Sequence, residues 1–179
     1  STFTVLKSFG EEKLVRAKYF DDKKEMLLNL NGGVVADSQI AGLRPKSPQN
    51  IVIIMLESFG AEYTKAGGTP SFTPFLDSLA ERSLYFKNGV ANGRRSIEGV
   101  AAVMAGIPAL MSEPFISSQF ASNYFLGLGT ILNKNGYETA FFHGGNNGTM
   151  YFDSFMKSAG VDKYFGSNEY PKAGDHDGV

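Results

Sequence analysis

Six apolar residues in succession, Ile51-Val52-Ile53-Ile54-Met55-Leu56, end directly on a carboxylate, Glu57. A run this short, rich in β-branched side chains and bounded by Pro48 and by Glu57-Ser58, reads as a strand buried on both faces. Strands of that kind belong to parallel sheets covered by helices. The run therefore predicts an α/β fold, a largely parallel sheet with helices on both faces, in which residues 50–56 form a central strand.

The rest of the chain continues the alternation. Thr73-Pro74 opens a helix, because threonine caps and proline suits the first helical position; Phe75, Leu76 and Leu79 give it an apolar stripe. Residues 84–90 read as a second strand. From Ser96 the spacing of Ile97, Val100, Ala101, Val103 and Met104 predicts a helix that stops at Gly106-Ile107-Pro108. Residues 111–123 read as a polar loop, Tyr124 to Asn135 as a helix ended by Gly136, and 137–142 as a third strand. Met150 to Ala159 reads as a helix with Gly160 past its end. Residues 1–48 differ: charge clusters and Pro45 and Pro48 mark an arm of one or two short helices leading into the domain.

Composition removes several classes of function. The chain has 179 residues and a net charge of −1, so its bulk electrostatics point to no nucleic-acid partner. There is no cysteine, which excludes disulfides, thiolate nucleophiles and thiolate metal sites. No apolar stretch is long enough for a membrane span. Gly174-Asp175-His176-Asp177-Gly178-Val179 carries no helix stop and reads as a cut end rather than a finished one.

In α/β sheets, ligands bind beyond the carboxyl ends of the strands. Three loops fall there: Glu57-Ser58, Asn92 to Ser96, and His143 to Asn147. A carboxylate at the mouth of a buried strand needs a cation, a hydrogen-bond network or a raised pKa. Glu57 is thus a hard oxygen ligand for Mg²⁺, Mn²⁺ or Zn²⁺, or else a loop cap paired with a local arginine. Ser96 is either a helix N-cap or a nucleophile lying in the positive potential of a helix N-terminus, and both roles can coexist. Arg94 or Arg95 can hold phosphate oxygens through bidentate hydrogen bonds. His143 ends a strand among glycines that let backbone approach a ligand. Asn146 and Asn147 either donate to a substrate or form a turn. Asp175-His176-Asp177 looks metal-like, but adjacent residues cannot all point at one ion without a scaffold.

Taken in order, Asn50 to Phe59, Thr73-Pro74-Phe75-Leu76-Asp77, Asn92-Gly93-Arg94-Arg95-Ser96-Ile97-Glu98-Gly99, His143 to Thr149 and Gly160 to Tyr164 resemble the sulfatase-like phosphoglycerol transferases, which include lipoteichoic acid synthase. The resemblance covers about residues 49–179. It implies that this stretch is the N-terminal half of an alkaline-phosphatase-like catalytic domain, with 1–48 as the arm after a last membrane span. It implies one divalent metal, commonly manganese, held by a glutamate after the first strand, by the nucleophile and by a later Asp-His pair. Glu57 and Ser96 match the first two ligands.

Three departures accompany the match. The synthases use threonine as nucleophile, where Ser96 stands here. They carry a tryptophan and an arginine after the His143 position, where Met150-Tyr151-Phe152-Asp153 stands here. Their late Asp-His pair has no counterpart before Val179, so the chain alone is expected to bind metal weakly. The C/S-x-P-x-R frame of true sulfatases is absent.

The function implied is transfer of a phosphoryl-alcohol group from a phospholipid or other phosphodiester to a glycan or glycerol acceptor, through a phosphoseryl intermediate. It would take place on the extracytoplasmic side of a membrane that is reached through helices outside this chain. Hydrolysis by a phosphatase of the same superfamily and a non-catalytic binding module are the rival readings.

Overall fold

The computed structural model describes residues 18, 20–22, 24–26, 47–68, 70–86 and 89–170. The backbone groups into two units, Ser1–Ile54 and Met55–Val179. In the first, Lys24, Glu25 and Met26 form a helical turn. Asp22 starts it, its Oδ1 accepting from the N–H of Glu25 at 2.7 Å, as a short acidic side chain at a helix start does.

Among its described residues the second unit contains four α-helices: α1 (Pro74–Glu81), α2 (Ser96–Ala105), α3 (Leu128–Lys134) and α4 (Phe152–Ser158). Two strands, β1 (Ala140–Phe142) and β2 (Lys163–Phe165), pair in parallel with Ala140 opposite Lys163 and Phe142 opposite Phe165. α4 lies between them in sequence, so β1-α4-β2 is the crossover that a parallel pair requires. Pro74 takes the first position of α1 as expected, although the Thr73 side chain makes no capping bond.

The core forms where the apolar stripe of α2 meets that of α4. Ile97, Val100 and Ala101 pack with Ile116, Phe152, Phe155 and Met156, and Met156 is 1% exposed. Burying each large side chain in such a cluster contributes on the order of 1.5–3 kcal/mol. Phe115, Phe125 and Phe155 extend it as aromatic pairs with centroids 5.3–6.4 Å apart.

Several expected elements differ. Residues 50–56 form no strand, and Ile51 to Leu56 are all exposed. A strand buried on both faces needs neighbours along both edges. The described residues hold one ladder, β1 with β2, whose strands are already paired with each other. Leu84, Tyr85 and Phe86, from the expected strand 84–90, are likewise unpaired and exposed, and residues 87 and 88 lie outside the described set. The expected strand 137–142 is realised as its last three residues.

Residues 111–123 contain two short 3-10 turns, Phe115–Ser117 and Gln119–Ser122. α3 starts four residues later than expected, after Gly127. A Cβ on Gly127 would run into the Ala159 backbone, so a side chain there would push the two segments apart. The expected helix from Met150 begins at Phe152, because Met150 and Tyr151 take left-handed φ of 53° and 59°. β2 was not foreseen.

Candidate functional site

Glu57 lies in a turn with Ser58, whose φ of 50° is left-handed. That region is sparsely used by non-glycine residues and recurs at functional sites. The Glu57 carboxylate is exposed, and its one hydrogen bond among the described residues is accepted from Ser58 Oγ at 3.3 Å. Two residues earlier, Met55 lies against the first turn of α2, its sulfur 3.6 Å from where a Cβ on Gly99 would be.

Ser96 is the first residue of α2, and Arg95, in extended conformation, occupies the cap position. Ser96 is therefore not the cap. Its hydroxyl makes no hydrogen bond to any described residue, and it is half-buried at the positive end of the helix dipole.

The capping work falls to Glu98. Its Oε2 accepts from the backbone N–H of Arg94 at 2.8 Å and of Arg95 at 3.2 Å. Its Oε1 accepts from Arg95 Nε at 3.1 Å and from the terminal guanidinium nitrogen at 2.6 Å. The Arg95 guanidinium, then the Arg94 N–H, hold the Glu98 carboxyl below its ordinary pKa. Arg94 has no side-chain partner among the described residues. Asn92, Gly93, Arg94, Arg95, Glu98 and Ala109 line an open depression there, and Asn92 Oδ1 accepts from the N–H of Ala109.

His143 follows β1 directly, its N–H donating to Phe165 O at 2.8 Å. Its ring stands edge-on to Phe152 at 5.0 Å, and Nδ1 lies 3.5 Å from the Tyr164 hydroxyl. Burial raises the Tyr164 pKa, with the charges of Asp153 and Glu169 adding to it. Asn147 Nδ2 donates to both Glu169 oxygens, at 3.1 and 3.0 Å. Asn146 Oδ1 accepts from Ser167 Oγ at 3.0 Å. These two amides thus tie the loop after β1 to the loop after β2.

The seven expected site residues accordingly fall into local groups. Arg94, Arg95 and Ser96 share the start of α2, Met55 brings the Glu57 turn to that helix, and His143, Asn146 and Asn147 belong to the β1–β2 loops. Among the described residues no hydrogen bond or ring contact joins the β-loop group to the α2 group, and no cluster of three His, Asp or Glu forms. Asp175, His176 and Asp177 lie outside the described residues. Sequence reasoning missed Glu98, although a glutamate three residues after a helix cap is a readable capping signal. It also missed Glu169 and the left-handed Ser58, for which the sequence carried no local signal.

The sulfatase family profile matches residues 49–177. The chain belongs to the sulfatase family. Phosphoglycerol transferase I of Escherichia coli (strain SMS-3-5 / SECEC) is 32% identical over 130 residues, which are 70% of this chain and 17% of that protein. The chain thus spans about a sixth of that relative's length. Among solved structures, a protein in the alkaline phosphatase superfamily from Vibrio parahaemolyticus superposes with a TM-score of 0.59 at 28% identity, covering 65% of this chain and 29% of that one. The lipoteichoic acid synthase LtaP of Listeria monocytogenes gives a TM-score of 0.51 at 20% identity, over 56% of this chain and 25% of its own, and this likeness is one of fold. The sulfatase-family α/β chain therefore has the fold class and the family that its motifs imply. No helix among its described residues is long and apolar enough to cross a membrane.

Proposed function

We propose that this sulfatase-family chain belongs to an enzyme that transfers a phosphoglycerol-type group from a phospholipid-type donor to a glycan or glycerol hydroxyl. The observation carrying this reading is the Ser96 hydroxyl at the first position of α2, which no described residue partners, beside a cationic loop. The 32% identity to a phosphoglycerol transferase supports the choice of group transferred.

In this reading Ser96 Oγ attacks the donor phosphorus. An O–P bond forms, the bond to the lipid alcohol oxygen breaks, and that oxygen leaves as the hydroxyl of a diacylglycerol, taking up a proton as Ser96 loses one. The acceptor hydroxyl then attacks the phosphoseryl phosphorus, the Ser96 O–P bond breaks, and serine is regenerated. The N–H groups of Ser96 and Ile97, which donate to no described residue, and the cationic loop before α2 stabilise the phosphoryl oxygens. Asn146, Asn147 and His143 belong to the substrate side of the reading.

The residues fit a divalent cation, manganese first and magnesium or zinc as alternatives, in one respect. Glu57 and Ser96 are oxygen donors with little competing hydrogen bonding. Such a cation would lower the pKa of the serine hydroxyl and offset phosphoryl charge. The enzyme would work at the outer face of a membrane, where a phospholipid donor is presented. Product analysis of the full-length protein with phosphatidylglycerol, with and without an added glycan or glycerol acceptor, tests the proposal. Release of glycerol phosphate to water at an unchanged rate in both arms would instead make it a hydrolase.

A further inference from the structure

The two arginines before Ser96 are not equivalent. We infer that Arg94 is the residue that grips the donor phosphate, whereas Arg95 and Glu98 are positioning residues that hold the loop in which Arg94 and Ser96 stand. The inference rests on the phosphotransfer reading and sharpens it.

Arg95 is already committed. Its Nε and one terminal nitrogen donate to the same Glu98 oxygen, at 3.1 and 2.6 Å. To turn that Nε edge of its guanidinium to a phosphate it would have to abandon a Glu98 side chain that is only 11% exposed, leaving that carboxylate short of its partner. The Glu98 carboxylate also holds the backbone N–H groups of Arg94 and Arg95, so its loss would free the whole turn. From the other side Asn92 pins the same loop to Ala109.

The loop is therefore anchored at both ends. Arg94 sits between the anchors, exposed and lining the depression together with Arg95, but its guanidinium binds no described residue. A planar guanidinium on a fixed backbone loses little freedom when it meets a phosphate in bidentate fashion. Glu98 matters a second way: bound to Arg95, it is neutralised and does not repel the incoming anion.

The test is calorimetric titration of sn-glycerol 1-phosphate, with manganese present, into the full-length protein carrying Ser96→Ala to prevent turnover. Added Arg94→Ala is expected to raise Kd about tenfold or more beyond the effect of added Arg95→Ala, the loss of a charge-assisted contact. Arg94→Lys should recover part of it. Glu98→Gln, which keeps an acceptor for the two N–H groups, should bind more tightly than Glu98→Ala, a rescue that a simple loss of charge would not give. Melting curves of each variant separate binding from folding. An Arg95→Ala effect equal to or larger than that of Arg94→Ala overturns the inference while leaving the phosphotransfer reading intact. Absence of glycerol phosphate binding by the parent overturns both. Normal turnover by Ser96→Ala overturns the nucleophile assignment alone.

Discussion

Asp162 and Thr139 hold each other by three hydrogen bonds. The Asp162 carboxylate accepts from the backbone N–H and from the hydroxyl of Thr139, each at 2.9 Å, and Thr139 Oγ1 accepts from the N–H of Asp162 at 3.0 Å. Asn133 joins them, its Nδ2 donating to Asp162 Oδ1 at 2.9 Å and to Gly160 O at 2.8 Å. One carboxylate thus ties α3, the lead into β1 and the lead into β2, the frame that carries the His143 loop.

The Thr139 N–H, then its hydroxyl and the Asn133 amide, hold Asp162 below the ordinary carboxylate pKa. Its folded-state pKa is lower than its unfolded value, so the unfolded chain takes up the proton first. The stabilisation is complete above about pH 3.9, the unfolded value. It is lost as pH falls through the lower folded value. Melting temperatures measured across this acid range should fall more steeply for the parent than for Asp162→Asn; parallel curves would show that the carboxylate does not contribute.

Ser96→Ala should abolish transfer in the full-length protein and leave stability within about 0.5 kcal/mol of the parent. Ser96 is the first helical residue and makes no capping bond, so the cost of a lost cap does not apply. Turnover assays paired with thermal melts check both halves. Retained activity removes Ser96 from the chemistry.

Glu57→Ala should remove bound manganese and activity together in the full-length protein. Its carboxylate accepts one long hydrogen bond from Ser58, so no structural tie is broken. Metal analysis of the purified variant decides the matter, and full occupancy would exclude Glu57 as a ligand.

Gly129→Ala should destabilise the protein by about 1–3 kcal/mol, the usual range for overpacking. A Cβ there would stand 2.5 Å from the carbonyl carbon of Gly160, and backbone cannot swing aside as a flexible side chain can. Denaturant unfolding measures it, and a neutral result would mean that α3 and the Ala159–Gly160 turn can part freely.

Tyr151→Val should be less stable than Tyr151→Gly by more than about 1 kcal/mol. The left-handed φ of 59° suits glycine and is poorly tolerated by a β-branched residue. Equal melting temperatures for the two variants would argue against the left-handed turn.

The local signals that the sequence carried were strong where one element suffices. Pro74 opening α1, the apolar spacing that begins α2 after Arg95, and the glycine punctuation at Gly106 and Gly160 are properties of neighbouring residues. The motif order around Glu57 and Ser96 was enough to name the family. Tertiary structure decided whatever needed a partner distant in sequence. The run 50–56 has the composition of a central strand, but a strand exists only when another supplies its ladder, and among the described residues none does. The split between Arg94 and Arg95 was equally invisible, because the two are identical side chains in adjacent positions. Only the folded turn shows which guanidinium Glu98 captures: its carboxylate takes the backbone N–H of both arginines but the side chain of Arg95 alone.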